Sequence, residues 1–395
     1  MPLRFDAIHC WLMEPIYLDH NATTKIDPRV ALAIDECHRA GHVNPASPHQ
    51  AGRRTRRVLE KARESIARVL GCRCSDAQAD RVLFTSGGTE SNNLAIFGLA
   101  GPSPGRIIIS SIEHPSVTGP AEQLQRCGFD LQRLPVSQDG IVEIGRLREL
   151  LTKDTRLVSV MLGNNETGVL QPIQELAALC TEAGVPLHTD AVQAVGKVPV
   201  DFRQLSVAAL SLTAHKFHGP VGIGVLIVRP EAQLRPLLLG GFQQAGLRPG
   251  TEPVALAVGL QKALELWQQE ATVRFERIAA LRDRLENSLR AEFAELVISG
   301  AGAARLPHTT NIAFPGLDRQ ALLMALDLAG VACSTGSACA SGSSDPSPVL
   351  LAMGLPSAVV NSSLRFSLGA FTTDAEVAEA VRRISQILKD LHRRK

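Results

Sequence analysis

From residue 80 onward, short runs rich in β-branched residues alternate with longer helical patterns, and this alternation restricts the fold more than any other feature of the chain. The runs are Arg81–Thr85, Arg106–Ser110, 157–162, 185–189, 207–212 and Gly224–Val228, with helical sequence such as 173–183 between some of them. Strands separated by helices make βαβ units and a mainly parallel sheet. Parallel strands covered on both faces should be apolar throughout, and Leu157-Val-Ser-Val-Met-Leu162 nearly is. The pattern changes near residue 260. Residues 255–297 are rich in Ala, Leu, Glu and Arg, which predicts one or two long helices. A strand over 308–314, a helix over 319–329 and a strand over 364–368 follow. Val377, Val381, Ile384, Leu388 and Leu391 share one face of a closing helix, with Thr373 and Glu376 at capping-box spacing at its start. We divide the chain into a larger α/β domain over 17–260 and a smaller one over 261–395, which the segment 1–16 joins.

Lys and Arg number 41 against 39 Asp and Glu, a formal net charge of +2. That balance lacks the basic excess of a dedicated nucleic-acid binder, so no direct nucleic-acid partner is expected. The chain has no apolar run of about 18 residues, so no membrane-spanning helix is expected either. Its eight cysteines, Cys10, Cys37, Cys72, Cys74, Cys127, Cys180, Cys333 and Cys339, are scattered. They read as reduced thiols of a cytoplasmic protein, not as a disulfide framework or a zinc site. The amino end is a poor secretory signal. Met13 offers a second start, which would make the first twelve residues an extension.

Three local features carry chemistry. In Phe84-Thr-Ser-Gly-Gly-Thr-Glu90, a strand runs through Gly87 and Gly88 into a helix starting near Thr89. Glycines permit close backbone approach, and a helix N-terminus offers unpaired N–H groups to a phosphate. An ordinary strand-to-helix turn has the same sequence. In Leu187-His-Thr-Asp190, an Asp ends a buried strand, where open α/β sheets bind ligands. It could cap a helix, or pair with a ligand cation such as a protonated pyridine nitrogen. In Ser211-Leu-Thr-Ala-His215-Lys216-Phe-His218, a lysine follows an apolar strand. It could snorkel to solvent, or, desolvated among cationic neighbours, form an imine with an aldehyde cofactor. Together and in this order, the three are the handles that pyridoxal phosphate needs.

The sequence resembles the cysteine desulfurases, class V aminotransferase-like pyridoxal phosphate enzymes, over roughly residues 17–373. The matching motifs include Tyr17-Leu-Asp-His-Asn-Ala-Thr-Thr24, Asn44-Pro-Ala-Ser47, the 85–93 block, Asn164-Asn165-Glu166-Thr-Gly168 and His188–Gln193. They continue with Ala214-His-Lys216, Arg248-Pro-Gly-Thr251, Gly336-Ser-Ala-Cys339 and Ser363-Leu-Arg365-Phe-Ser. The Ser-Ala-Cys stretch resembles the subgroup that supplies iron–sulfur scaffold proteins. The resemblance implies pyridoxal-phosphate transferase fold type I, with a mainly parallel seven-stranded sheet. It implies that Lys216 holds the cofactor and later moves the substrate Cα proton. Asp190 would pair with the pyridine nitrogen, and His114 would stack on the ring and handle protons. Asn165 and Gln193 would bond the ring oxygen or the substrate. Gly88, Thr89, Thr213 and His215 would hold the phosphate, joined by Thr251 from the neighbouring subunit of a homodimer. Arg365 would clamp the carboxylate of L-cysteine.

Cys339 lies in Cys333-Ser-Thr-Gly-Ser-Ala-Cys339-Ala-Ser-Gly, which has no periodic apolar pattern and predicts an exposed loop over 333–344. By the resemblance it is the nucleophile that becomes a persulfide and passes sulfur to an acceptor protein. No stable metal site is implied, although Cys339 would transiently ligate an iron–sulfur cluster with a scaffold partner. Cys333 reads as structural. Selenocysteine lyase, or another class V pyridoxal phosphate enzyme, is the rival activity. Three positions depart from the family pattern: Thr213 replaces a usual Ser, Val221 a usual Lys, and Gln244 a usual acid. The run Arg53-Arg-Thr-Arg-Arg57 reads as a solvated helix face.

Overall fold

The computed structural model describes residues 15–74, 78–336 and 345–393. Strand β1 (Ile16–Tyr17) opens it, followed by β2 (Arg81–Thr85), β3 (Arg106–Ser110), β4 (Asp130–Leu134) and β5 (Thr155–Ser159). Then come β6 (Leu187–Asp190), β7 (Ala209–Thr213) and β8 (Gly224–Val228). The last seven form one sheet in the order β2-β8-β7-β6-β5-β3-β4. Its neighbours from β7 to β4 pair in parallel, and β8 runs antiparallel to both β2 and β7. Neighbouring side chains along a strand go to opposite faces. Ile108, Phe84 and Leu210 join one apolar cluster, while Ile107, Ile109, Leu83 and Ala209 join another. The sheet is therefore covered on both sides, which is why its central strands lack polar alternation.

Strand β4 was not foreseen. Its sequence, Asp-Leu-Gln-Arg-Leu, is mostly polar because it is an edge strand with little burial. The predicted strands over 157–162, 185–189 and 207–212 are present with ends shifted by one to three residues.

A second core surrounds a small antiparallel sheet of β9 (Val297–Ile298), β10 (Thr309–Ala313) and β12 (Ser363–Ser367). Between them in sequence, β11 (Val331–Ala332) pairs in parallel with β1, and Ile16 and Leu18 enter this core. Most of the sequence 255–297 forms one helix, Val254–Glu292, and its last residue, Val297, begins β9. The helix's first half packs Ala257, Leu260 and Leu264 into the large-sheet core. Its second half packs Ile278, Leu281, Leu285 and Leu289 into the small one.

The closing helix, Asp374–Arg393, buries Val377, Ile384 and Leu388 in that second core. Its capping box is complete: Thr373 N–H donates to Glu376 Oε2 at 2.7 Å, and Glu376 N–H to Thr373 Oγ1 at 3.2 Å. Thr373→Ala should lower stability by about 1 kcal/mol. An unchanged midpoint in urea unfolding of that variant would refute the cap.

Candidate active site

The sheet's parallel strands deliver their carboxyl ends to one edge. There β2 leads to Gly87 and Gly88, β3 to His114, β6 ends at Asp190 and β7 leads to Lys216. A cavity of about 260 Å³ at this edge is lined by Gly88, Thr89, His114 and Asn165. Asp190, Gln193, Thr213, His215 and Lys216 complete the predicted residues along its wall. A second cavity of about 530 Å³ shares Ala22, His114, Asn165, Gln193 and Lys216 with the first, and adds Glu166, Gly336 and Arg365. The two form a continuous site with the predicted cofactor residues on one side and the predicted substrate arginine on the other.

Two expected residues are not in these walls. Thr251 is exposed and lines neither cavity. Its neighbour Arg248 is bound to Glu90 in the helix Gly88–Ala100, at 2.7 and 3.0 Å, so the Thr251 segment is anchored at that helix start. Cys339 lies outside the described residues, between Gly336 and Asp345, as does Cys10. Cys333 packs against the second core, and burial pushes its thiol pKa up, which disfavours the reactive thiolate.

The Asp190 carboxylate is buried and held from two sides. Its Oδ2 accepts from Asn92 Nδ2 at 2.7 Å, and its Oδ1 from Val192 N–H at 2.9 Å. Asn92 Nδ2 also donates to Ser116 Oγ at 2.8 Å, which lies 2.7 Å from His114 Nδ1. That ring nitrogen accepts the Ser116 N–H and caps the helix Pro115–Arg126. With Nδ1 accepting, the proton of the neutral imidazole belongs on Nε2. Sequence reasoning missed Asn92 and Ser116 as members of this chain. The available signal was Asn92's place one helical turn after Gly88, on the same face.

Lys216 Nζ donates to the carbonyls of Asn21 at 2.5 Å and Ala22 at 2.9 Å. Asn21, also missed, ties three segments together: its Nδ2 donates to Asn165 O and Thr309 Oγ1, and its carbonyl accepts from Gln193 Nε2. The surrounding bases are weakened as proton acceptors. Burial pushes His114 below its usual range, Asp190 opposing and Lys216 adding to the shift. Burial, with Lys216 and Lys197, takes His215 down to about 4. Lys197, fully buried and 3.1 Å from His308 Nε2, falls to about 7 through burial and the charge of Lys216. Glu113, buried beside His114 in sequence, is raised to about 8 by desolvation.

The residues present fit pyridoxal phosphate. The helix Gly88–Ala100 has no side-chain cap, so its first N–H groups are available to a phosphate. A Cβ on Gly88 would crowd the Val192 side chain at 2.8 Å, so only glycine lets the helix start this close to the Asp190 turn. Among the described residues Gln193 Oε1 has no hydrogen-bond partner in the buried wall, an orphan that a bound group would satisfy. Thr213 Oγ1 donates to Ile223 O at 2.9 Å, so its proton is already used. Arg365 Nη1 donates to the carbonyls of Asn165 and Gly336, and Nη2 to Asp19 Oδ1 at 2.6 Å. Its buried Nε has no hydrogen-bond partner among the described residues, so the guanidinium keeps one donor unused there.

Of the departures, Gln244 is explained. Its Oε1 accepts from Phe84 N–H at 2.7 Å and its Nε2 donates to Phe84 O at 2.9 Å, extending the edge of β2. A carboxylate could not make the second bond.

The family model described as Aminotransferase class-V matches residues 16–379. Cysteine desulfurase IscS of Dictyoglomus turgidum is 40% identical over 379 residues, covering 95% of each chain. A solved NifS-like protein from Rickettsia africae superposes with a TM-score of 0.86 at 33% identity, covering 95% of this chain and 100% of that one. A structure described as SspA in complex with cysteine gives a TM-score of 0.77 at 32% identity, covering 90% and 99%.

Proposed function

The chain belongs to the class-V aminotransferase family, and from that premise we propose that it is a pyridoxal-phosphate-dependent L-cysteine desulfurase. It converts L-cysteine and its own Cys339 thiol to L-alanine and a Cys339 persulfide. The observation that carries this reading is the pair of joined cavities, one lined by Lys216 and Asp190, the other by Arg365 and by Gly336, which leads into the Cys339 segment.

When bound, pyridoxal phosphate supplies an electron-accepting ring that makes the substrate Cα–H acidic. Lys216, which lines the cavity, would hold that group through its amine and serve as the base for the Cα proton. Asp190, fixed by Asn92 and Val192, keeps a positive charge on the ring nitrogen. The N-terminus of the helix Gly88–Ala100, with Thr89 and His215, anchors the phosphate; Thr213 contributes oxygen lone pairs and the wall. Gln193 and Asn165 orient the ring oxygen and the substrate. His114, neutral and protonated on Nε2, lines the same cavity and would stack on the ring and relay protons. Arg365 holds the substrate carboxylate. The Cys339 thiolate attacks the substrate sulfur. The S–S bond forms as the substrate Cβ–S bond breaks, and the carbon keeps that electron pair, gains a proton and leaves as L-alanine.

A second copy of the chain completes the site with its Thr251. Support comes from the exposed apolar side chains of Leu239, at 89%, and Phe242, at 95% of full exposure, in the segment whose Gln243 Oε1 accepts the Gly250 N–H beside Thr251. The sulfur passes on to an iron–sulfur scaffold or another acceptor protein, in the cytoplasm, where the free thiols of Cys37, Cys72, Cys74, Cys127 and Cys180 would persist. Among the described residues no helix is long and apolar enough to cross a membrane.

The purified protein should be yellow, and borohydride should fix the cofactor on Lys216. Recovery of the reduced adduct on another lysine, such as Lys197, would sink the assignment.

A further inference from the structure

In the large sheet β3 and β5 are neighbours, yet the chain leaves them in opposite directions, β3 toward β4 and β5 toward β6. Such a reversal opens a crevice beyond the carboxyl ends of the two strands, where open α/β sheets take their ligands. Pairing between the two strands stops at Ile109 and Ser159. Beyond that point the Glu113 side chain spans the gap. Its Oε1 accepts from Ser110 Oγ at 2.5 Å, at the end of β3, and from Met161 N–H at 2.8 Å, two residues past β5. Asn164 Nδ2 adds a second tie between the same segments, donating to Ile112 O at 3.2 Å.

Glu113 is buried, and its Oε2 has no hydrogen-bond partner among the described residues. No cation among them pairs with it; the charge that acts on it is that of Asp190, at the end of β6. The Asp190 carboxylate already draws two donors, Asn92 Nδ2 and Val192 N–H. Two ionised carboxyls in one buried wall repel, and the one without compensation keeps its proton. Desolvation and the Asp190 charge accordingly raise Glu113 to about 8, with the bonds from Ser110 and Met161 opposing. The next residue, His114, lines the cofactor cavity and caps the helix Pro115–Arg126, so the bridge sits at the root of the segment that carries that ring.

We propose that Glu113 is a positioning residue, an uncharged acid that ties the end of β3 to the end of β5 and so fixes the His114 ring at the cofactor cavity. This rests on the pyridoxal phosphate reading of that cavity. The two bonds of Glu113 go to Ser110 and Met161, not to Lys216, Asp190 or Arg365, so its effect passes through His114. A displacement of about 1 Å in a group at the reacting centre costs ~10²-fold in rate. An amide of the same shape offers the same acceptor oxygen, so the bridge needs no negative charge.

The test uses the cofactor-loaded protein, with alanine production and the visible circular dichroism of the bound cofactor as readouts. Glu113→Ala should lower kcat roughly 10- to 100-fold and weaken the dichroism, with KM for L-cysteine changed by less than about threefold. Glu113→Gln should restore both readouts to within about threefold of wild type. Glu113→Ala combined with His114→Ala should be no slower than His114→Ala alone, as expected of a residue that acts through another. Ser110→Ala removes one donor of the bridge and should lower kcat about 3- to 10-fold, which preserves the test if Glu113→Ala fails to fold. The uncharged form has its own readout. A carboxyl raised on folding from 4.5 to about 8 makes the native protein hold the extra proton, so stability falls as pH rises through that window. The folding constant of Glu113→Gln should therefore rise relative to wild type by up to about tenfold per pH unit between about pH 5 and 8. Normal turnover in Glu113→Ala, or in Ser110→Ala where the first does not fold, would overturn the inference. So would a Gln variant as slow as Ala, additive losses in the double variant, or a stability gap that does not change with pH. A protein that takes up no pyridoxal phosphate would instead overturn the underlying reading.

Discussion

Cys339→Ser should fold, bind the cofactor and change colour with L-cysteine, yet release almost no alanine and transfer no sulfur. Engaging the substrate amine needs Lys216 and the cavity around it, and all of those residues are left intact. The sulfur step is different. A thiolate is the nucleophile in such chemistry. A serine hydroxyl has nearly the same shape but is almost never ionised near neutral pH, and oxygen is a poor nucleophile toward sulfur. Cys333→Ser should retain most activity, because Cys333 is packed into the second core with its thiol pKa raised. Mass spectrometry after L-cysteine treatment without reductant, paired with an alanine assay, decides the matter. A persulfide on Cys333, or full sulfur transfer by Cys339→Ser, would move the reactive site elsewhere.

Loss of the Asp190 charge should be the next largest effect, about 10²–10³ in alanine production, the scale seen when a preorganised electrostatic partner is removed from a closed site. Two substitutions separate charge from scaffold. Asp190→Ala also strands the Asn92 Nδ2 and Val192 N–H donors in a buried wall, and each unsatisfied group costs about 1–3 kcal/mol. Asp190→Asn keeps the shape and one acceptor, so its stability should lie nearer the wild type while its rate falls as far. Alanine production close to normal in a verified Asp190→Asn protein would contradict the role.

Much of this site was legible because its residues terminate recognisable strands. Asp190 ends β6, Lys216 follows β7, and the Gly87-Gly88 turn follows β2, so local pattern alone points to one sheet edge. The supporting residues were not legible for a physical reason. Asn92 reaches Asp190 across 98 positions, and Asn21 reaches Thr309 across 288. Such contacts exist only after the chain has folded, and a lone Asn carries no periodicity to reveal them. His188 shows the converse. It stands in a matched motif, but it is sealed inside the sheet between the hydroxyls of Ser159 and Ser211. Edge strand β4 was invisible because apolar patterning reports burial, which that strand largely lacks.

The helix Val254–Glu292 has a consequence for how this chain can vary. Its two halves serve different cores, yet they share one continuous backbone screw. Inserting one residue midway, near Gln268, would rotate everything beyond it by about 100°. Ile278, Leu281, Leu285 and Leu289 would turn away from the small sheet, while Leu260 and Leu264 kept their places. An insertion of about seven residues would bring the faces back into phase, but would displace one half along the axis by about 10 Å. No number of added residues preserves both angle and distance. This stretch therefore behaves as a gauge block of fixed length, and tolerated changes of length belong in the turns around it.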